Sequence, residues 1–118
     1  MKLFDLSTLA EAEGGEYVLG SKDLHIQTCY LIYGKLEKGE VQRLIRPGAS
    51  HDEILCAVDG ALLMHTTRGV VSLPFGHAVH VKEDESFFIS NPLDRPVVYI
   101  IAGGRRQSKG RQRSPRHL

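Results

Sequence analysis

Short, largely apolar stretches of strand length, separated by turn residues, make up most of this chain. Segments such as 53–58 and 97–102 contain apolar runs of six residues or fewer that are bounded by turn residues, which is typical of strands. Such segments follow one another at a spacing of about ten residues, which is typical of an all-β sandwich or barrel. We predict strands at Glu16–Leu19, His25–Tyr33, Val41–Arg46, Glu53–Val58, Ala61–Thr66, Gly69–Leu73, His77–Val81, Ser86–Ser90 and Val97–Ala102.

Turn residues set the predicted ends of these strands. Asp59-Gly60 and Asn91-Pro92 are typical turn pairs. On the same grounds we place turns at Gly34 and at Gly103-Gly104. No segment of helical length and period lies between the strands, so a parallel α/β sheet is not favoured.

One short helix is predicted before the first strand. The segment 7–15 begins with a capping residue, Ser7 or Thr8, and ends in a glycine pair. The fold class is therefore all-β and antiparallel, with a short N-terminal helix.

Charge divides the chain into two parts. The 118 residues suffice for one domain, and 42% hydrophobic with 25% charged residues is typical of a globular protein. The net charge is +1, but six of the 15 basic residues lie in residues 105–118, which contain no acid. Residues 1–104 therefore carry nine basic and 14 acidic residues, a net charge of −5. We predict a domain at 1–104 and a basic tail at 105–118, flexible or foreign to the natural domain.

Several partner classes are disfavoured by the same composition. The basic tail has no aromatic residue to stack on bases and the attached domain is acidic, so nucleic acid is not an expected partner. No apolar run is long enough to cross a bilayer, and no signal-peptide pattern is present, so no membrane partner is expected. Two cysteines, Cys29 and Cys56, are too few for a disulfide framework and are predicted to be buried. We expect a cytoplasmic protein.

Residues 48–91 resemble the two sequence motifs of the cupin superfamily, whose members are small antiparallel jelly-roll barrels. Glu53 is followed by six residues and then Gly60, which is the Glu-to-Gly spacing of the first motif. Gly76 and Asn91 match the opening and closing residues of the second motif, and fifteen residues separate Gly60 from Gly76. The resemblance implies a jelly-roll barrel at residues 1–104. It also implies a homodimer, because cupins commonly pair through their sheets.

The residues that bind metal in the family are largely replaced in this chain. Metal-binding cupins carry histidines four and six positions before the Glu and another in the second motif. Those positions hold Pro47, Ala49 and Phe87, none of which can donate to a metal. Glu53 alone matches, whereas a transition-metal site needs about three protein ligands. We therefore expect no cofactor.

A divalent metal, bound at a site rebuilt from other histidines, is the less favoured alternative. His51 has the strand parity of Glu53 and would lie on the same face. His80 alternates with apolar neighbours and is predicted to face outward, and His65 is ambiguous. The sequence leaves open whether His51, His65 or His80 holds a metal.

Glu53 is the centre of the predicted site. At its position in the family it points into the barrel, where an unpaired carboxylate is costly, so we expect a partner or a raised pKa. Arg43 shares parity with inward residues and can reach the same cavity. We predict a ligand-binding site formed by Arg43, His51, Glu53, Phe87 and Asn91. The structural alternatives are an Arg43–Glu53 ion pair, core packing by Phe87 and a turn role for Asn91.

The leading hypothesis is a metal-independent, cupin-like protein that binds a small polar molecule in the barrel mouth. One alternative is an enzyme, with Glu53 and His51 as catalytic candidates in isomerase-like proton transfer, or a metal-dependent oxygenase with a rebuilt site. Another is a structural or regulatory module whose pocket is filled by side chains. The sequence identifies neither the ligand nor whether the protein is an enzyme.

Overall fold

The computed structural model describes residues 1–106, which contain two short helices and nine strands. The helices are α1 (Leu6–Ala12) and α2 (Ser21–Leu24). The strands are β1 (Glu16–Leu19), β2 (Cys29–Leu36), β3 (Arg43–Ile45), β4 (His51–Ala57), β5 (Leu62–Thr66), β6 (Gly69–Leu73), β7 (Ala78–Val81), β8 (Phe87–Ser90) and β9 (Val97–Arg105). The all-β prediction is confirmed. None of the helices within this range is long and apolar enough to span a membrane.

The strands form two antiparallel sheets that pack face to face. The five-stranded sheet has the order β1-β2-β9-β4-β7, and the four-stranded sheet has the order β3-β8-β5-β6. Alternating side chains of each sheet point into a shared core, because one face of each strand is apolar. The core includes Ile32, Leu36, Leu55, Tyr99 and Ile101 from the first sheet and Ile45, Leu62, Met64 and Ile89 from the second.

The N-terminal helix is present but begins earlier than predicted. Asp5, not Ser7 or Thr8, is the N-cap. Its carboxylate accepts hydrogen bonds from the Thr8 backbone N–H at 3.2 Å and from the Thr8 hydroxyl at 2.9 Å. A carboxylate at this position satisfies a first-turn N–H that has no partner within the helix.

The second strand begins later than predicted because a short helix intervenes. Residues Ser21–Leu24 form α2, and His25 ends it with a left-handed φ of 58°. The chain therefore enters β2 at Cys29 and not at His25.

Two glycines assigned to turns lie inside strands. Gly34 of β2 is paired with Tyr99 of β9, and Gly103 of β9 is paired with Tyr30 of β2. A Cβ atom at either glycine would overlap the ring of the facing tyrosine. These glycines leave room for the rings, so both strands continue through them.

The domain boundary predicted at Gly104 lies inside β9. Arg105 is the last residue of that strand and pairs with His51. The Arg106 guanidinium contacts Asp52 at 3.1 Å and Glu83 at 2.7 Å. The rest of the predicted basic tail, residues 107–118, lies outside the described part of the chain.

Candidate functional site

A buried carboxylate lies at the start of β4, where the sequence predicts the site. Glu53 is only 4% exposed, and it points to the barrel side of the five-stranded sheet with Leu55 and Ala57. The Tyr30 hydroxyl, two strands away on β2, donates a hydrogen bond of 2.5 Å to Glu53 Oε2. Tyr30 therefore supplies the partner that a buried carboxylate needs.

Burial dominates the electrostatics of this pair. Loss of hydration raises the pKa of Glu53 above its usual range, and the negative charge of Glu16 raises it further. The Tyr30 hydrogen bond and the nearby His51 oppose this shift in the pKa of Glu53 without cancelling it. Burial and the bond to Glu53 also raise the pKa of Tyr30, so Tyr30 remains the proton donor.

His51 lies beside the pair, as its strand parity with Glu53 predicts. The His51 and Tyr30 rings meet edge to face with their centroids 5.9 Å apart. His51 Nδ1 is 2.9 Å from the Ala49 carbonyl oxygen. A carbonyl accepts but cannot donate, so Nδ1 carries a proton and donates it to Ala49. In the neutral ring Nε2 is then an acceptor, and it has no hydrogen-bond partner among residues 1–106.

An open cavity of about 340 Å³ is lined by Tyr30 and His51 but not by Glu53. It is bounded by β1 and α2 on one side and by the starts of β2 and β4 and the end of β9 on the other. Its polar lining is Ser21, Gln27, Cys29, Tyr30, His51 and Arg105. The Arg105 guanidinium makes no ion pair or hydrogen bond with another side chain of the described chain. One cationic and several hydrogen-bonding groups thus converge on one cavity.

Arg43 does not contact Glu53. Its guanidinium donates to the Tyr99 hydroxyl at 3.0 Å and to Glu40 Oε2 at 2.5 Å. It also donates to the Gly15 carbonyl at 3.2 Å, and the Tyr99 hydroxyl donates to Glu16. Arg43 therefore belongs to a separate polar cluster, which connects the segment between α1 and β1 to the barrel by hydrogen bonds.

Phe87 lies in the core and lines a different cavity. It is 9% exposed and packs in the cluster that includes Met64 and Val81. These three residues line a second cavity of about 530 Å³, which does not include His51 or Glu53 among its lining residues. The structure thus separates Phe87 from the Tyr30–His51 cavity.

Asn91 binds backbone groups far from Glu53. Its side-chain amide donates to the carbonyls of Leu36, Glu37 and Arg95, and its oxygen accepts from the Leu93 N–H. Leu36 lies six residues along β2 from Tyr30, a separation of about 20 Å in an extended strand. The geometry gives Asn91 the turn role that the sequence analysis held as the alternative.

The donor atoms in this region do not fit a transition metal. Pro47, Ala49 and Phe87 offer none, and Glu53 is bonded to Tyr30. The other two candidate histidines point elsewhere: His65 Nε2 is 2.7 Å from the Ser90 hydroxyl, and His80 Nε2 is 3.2 Å from Asp52 on the outer surface. Residues 1–106 bring no three His, Cys, Asp or Glu side chains together in a metal-binding cluster.

The sequence did not predict the exposure of Cys29 or the role of Tyr30, which both line the cavity. Cys29 is exposed, and Cys56, outside the cavity, is only partly buried, so the prediction that both cysteines are buried is wrong. Tyr30 was not predicted as a site residue. A usable signal exists: Tyr30 and Gly34 have the same spacing as Tyr99 and Gly103. Two such strands paired antiparallel place each tyrosine over the other strand's glycine.

Comparisons with solved structures identify the fold. A cupin protein from Bacteroides fragilis aligns with a TM-score of 0.70 and 14% identity, over 98% of this chain and 88% of that chain. A Klebsiella pneumoniae protein with a double-stranded β-helix domain aligns with a TM-score of 0.67 and 13% identity, over 89% and 90%. A sugar phosphate isomerase of the cupin superfamily from Silicibacter pomeroyi aligns with a TM-score of 0.60 and 19% identity, over 88% and 68%.

This chain has the cupin fold, as the sequence motifs predicted. No protein-family model and no curated protein sequence matches it. At these identities the similarity concerns the architecture, and function depends on the side chains of the site.

Proposed function

We propose that this cupin-fold protein binds a small molecule that carries both hydroxyl and anionic groups, in the cavity lined by Tyr30, His51 and Arg105. One observation carries the proposal: an unpaired imidazole nitrogen and a guanidinium group without an intramolecular partner among residues 1–106 converge on one cavity. Its volume of about 340 Å³ is within the range of small-ligand pockets.

The two groups have complementary preferences. With its Nδ1 proton donated to Ala49, His51 presents Nε2 as an acceptor, which suits a hydroxyl donor of the ligand. Arg105 presents parallel N–H groups, which suit a carboxylate or a phosphate. A hydroxylated ligand with an anionic group satisfies both.

Binding at this site is proposed to need no transition metal. The positions that hold metal in the family carry Pro47, Ala49 and Phe87, and the one remaining carboxylate, Glu53, accepts a hydrogen bond from Tyr30. The protein's own side chains would therefore orient the ligand.

Sugar phosphates are a suitable first class to test, because one structurally similar protein is described as a sugar phosphate isomerase. We expect isothermal titration calorimetry to detect binding of glucose 6-phosphate but not of glucose, before and after dialysis against EDTA. Arg105→Gln and His51→Gln should each weaken binding by about tenfold, which corresponds to about 1.4 kcal/mol. Arg46→Gln, at an exposed arginine outside the cavity, is the control.

Two results would refute the proposal. One is equal loss of binding in the Arg46 control, which would indicate unspecific attraction of anions. The other is no binding of any molecule in a panel of sugar phosphates and hydroxy acids.

Acid–base catalysis is the second candidate function. Burial raises the pKa of Glu53, as is common for catalytic carboxyls, and Glu53 accepts a hydrogen bond from Tyr30, which lines the cavity. Glu53 could take a carbon-bound proton of the substrate through Tyr30 and return a solvent-derived proton. His51, in contact with Tyr30, would orient the reacting hydroxyl.

Proton exchange tests this candidate separately from binding. Incubation of glucose 6-phosphate with the protein in D₂O should place deuterium at C2, which proton NMR detects. Glu53→Gln should abolish the exchange and retain binding. Exchange that persists in Glu53→Gln would exclude Glu53 as the base.

A further inference from the structure

The peptide group between Ala49 and Ser50 is hydrogen-bonded on both sides. Its carbonyl oxygen accepts a hydrogen bond from Nδ1 of His51 at 2.9 Å, and its N–H donates to Glu83 Oε2 at 2.6 Å. Glu83 lies in the turn between β7 and β8, and Ser50 directly precedes β4. One peptide group therefore connects a carboxylate of a distant turn to the imidazole that lines the ligand cavity.

The Glu83 carboxylate is held by a second partner. Arg106 Nη1 lies 2.7 Å from Glu83 Oε1, and Arg106 Nε lies 3.1 Å from Asp52 Oδ2. The backbone N–H of Arg106 donates to the Ser50 carbonyl at 2.8 Å. The hydrogen bonds from Ser50 and Arg106 lower the pKa of Glu83, so its side chain is ionised at neutral pH. Both oxygens of this carboxylate and both backbone groups of Ser50 are thus bonded.

The backbone of Ser50 has a conformation that residues other than glycine seldom adopt. Its φ is 67°, in the left-handed region. A residue with a side chain keeps such a conformation only where the surrounding contacts hold it. The hydrogen bonds of Ser50 to Glu83 and Arg106 are such contacts. They fix the plane of the preceding peptide group and hence the direction of its carbonyl, toward His51.

A carboxylate at the N–H of a peptide group makes the carbonyl of that group a better acceptor. Hydrogen bonds to an ionised group are stronger than neutral ones, and successive hydrogen bonds polarise one another. The tautomer of a histidine is set by the hydrogen bond that one of its ring nitrogens makes. A strong carbonyl acceptor at Nδ1 of His51 therefore keeps the proton on Nδ1 and leaves Nε2 free to accept.

We propose that Glu83 is a positioning residue of the ligand site. Through the Ala49–Ser50 peptide group it holds His51 in the tautomer whose Nε2 can accept a hydrogen bond from a ligand, and Arg106 holds Glu83 in place. Glu83 does not line the cavity, so it acts through His51 and not by contact with the ligand. The effect on ligand affinity rests on the proposed function, whereas the effect on the His51 tautomer does not.

The His51 tautomer can be measured in the ligand-free protein. A long-range ¹H–¹⁵N correlation NMR spectrum of the full chain, at about pH 8 and so above the usual titration range of imidazoles, distinguishes the two neutral forms. The wild-type protein should contain mainly the Nδ1–H form. Glu83→Ala removes the acceptor of the Ser50 N–H, and the fraction of the Nε2–H form should rise severalfold. Glu85→Ala is the matched control, because it removes a carboxylate of the same turn that accepts from the Lys82 N–H instead, and it should leave the tautomer unchanged.

Calorimetric titration with glucose 6-phosphate gives a second measurement. Glu83→Ala should weaken binding by about threefold to tenfold, the value of one hydrogen bond. In a His51→Gln background it should cause no further loss, because Glu83 acts through His51. An unchanged tautomer in Glu83→Ala, or an equal change in Glu85→Ala, would overturn the inference. A wild-type protein that does not bind the ligand, with the tautomer still altered by Glu83→Ala, would refute the proposed function alone.

Discussion

The Tyr30 hydroxyl donates a hydrogen bond of 2.5 Å to Glu53, which is the only buried acidic side chain within residues 1–106. The bond joins β2 to β4 across β9, which lies between them. It is possible because Gly103 on β9 leaves space for the Tyr30 ring. The buried carboxylate of Glu53 is thus held by the phenol of Tyr30.

Removal of the Tyr30 hydroxyl should destabilise the fold. Tyr30→Phe leaves Glu53 buried without its donor, and we expect the free energy of unfolding to fall by about 1–3 kcal/mol. Urea denaturation followed by circular dichroism measures this. Tyr33→Phe is the matched control, because Tyr33 lies on the same strand with a hydroxyl that has no partner in the described chain, and it should change stability by less than about 0.5 kcal/mol. Equal effects of the two variants would argue against the role given to Tyr30.

The raised pKa of Glu53 predicts a pH dependence of stability. The folded protein binds the proton of the Glu53 carboxyl more tightly than the unfolded chain does. Protonated Glu53 therefore adds to the free energy of unfolding below the unfolded pKa near 4.5, and this stabilisation is lost as pH rises through the folded pKa. Glu53→Gln cannot ionise, so its stability does not change with pH for this reason. Its stability relative to wild type should therefore increase between about pH 4 and about pH 7, by about 1.4 kcal/mol for each unit by which the pKa is raised. A difference that is constant with pH, measured by urea denaturation, would contradict the shift.

The reciprocal tyrosine–glycine pairs predict a specific coupling. Gly103→Ala should cost about 1–3 kcal/mol because the added methyl overlaps the Tyr30 ring. In a Tyr30→Leu background the destabilisation caused by Gly103→Ala should be smaller. A double-mutant cycle of unfolding free energies from urea denaturation measures the difference. Gly34→Ala faces Tyr99 and serves as the control, since its cost should be the same in both backgrounds. Additive effects of Gly103→Ala and Tyr30→Leu would disprove the steric pairing.

Asn91 is expected to matter for stability and not for binding. Asn91→Ala removes an amide whose two N–H groups donate to three backbone carbonyls, one N–H being shared, and whose oxygen accepts from a backbone N–H. The substitution should lower the free energy of unfolding by about 2 kcal/mol or more. Calorimetric titration with glucose 6-phosphate, at a temperature where the variant stays folded, should give the wild-type affinity. Normal stability with lost binding would restore the ligand role first predicted from the sequence.

Short apolar segments and turn residues predicted the fold because both signals are local. The predicted strand at 97–102 forms part of β9, where Val97, Tyr99 and Ile101 are buried. The extent of the strands was less predictable. Gly34 and Gly103 have the composition of turns, and only the tyrosine on the neighbouring strand explains why the strands continue through them.

The site was only partly predictable for a related reason. Strand parity placed His51 beside Glu53, because both lie on one strand. Strand parity also made Arg43 a candidate, but parity does not determine which partner a long side chain contacts. Arg43 pairs with Glu40, which is only three residues away, and not with Glu53. Tyr30 was missed because its contact with Glu53 joins residues 23 positions apart in the chain.

The place where the ligand binds distinguishes the Tyr30–His51 cavity from the rest of the protein surface. We would titrate glucose 6-phosphate into ¹⁵N-labelled protein after dialysis against EDTA and follow the amide signals by NMR. Binding in the Tyr30–His51 cavity should cause saturable shifts at Gln27–Tyr30, His51 and Arg105, with little change at Met64 or Phe87. Saturable shifts at Met64 and Phe87 instead, or binding that appears only when a divalent metal is restored, would contradict it.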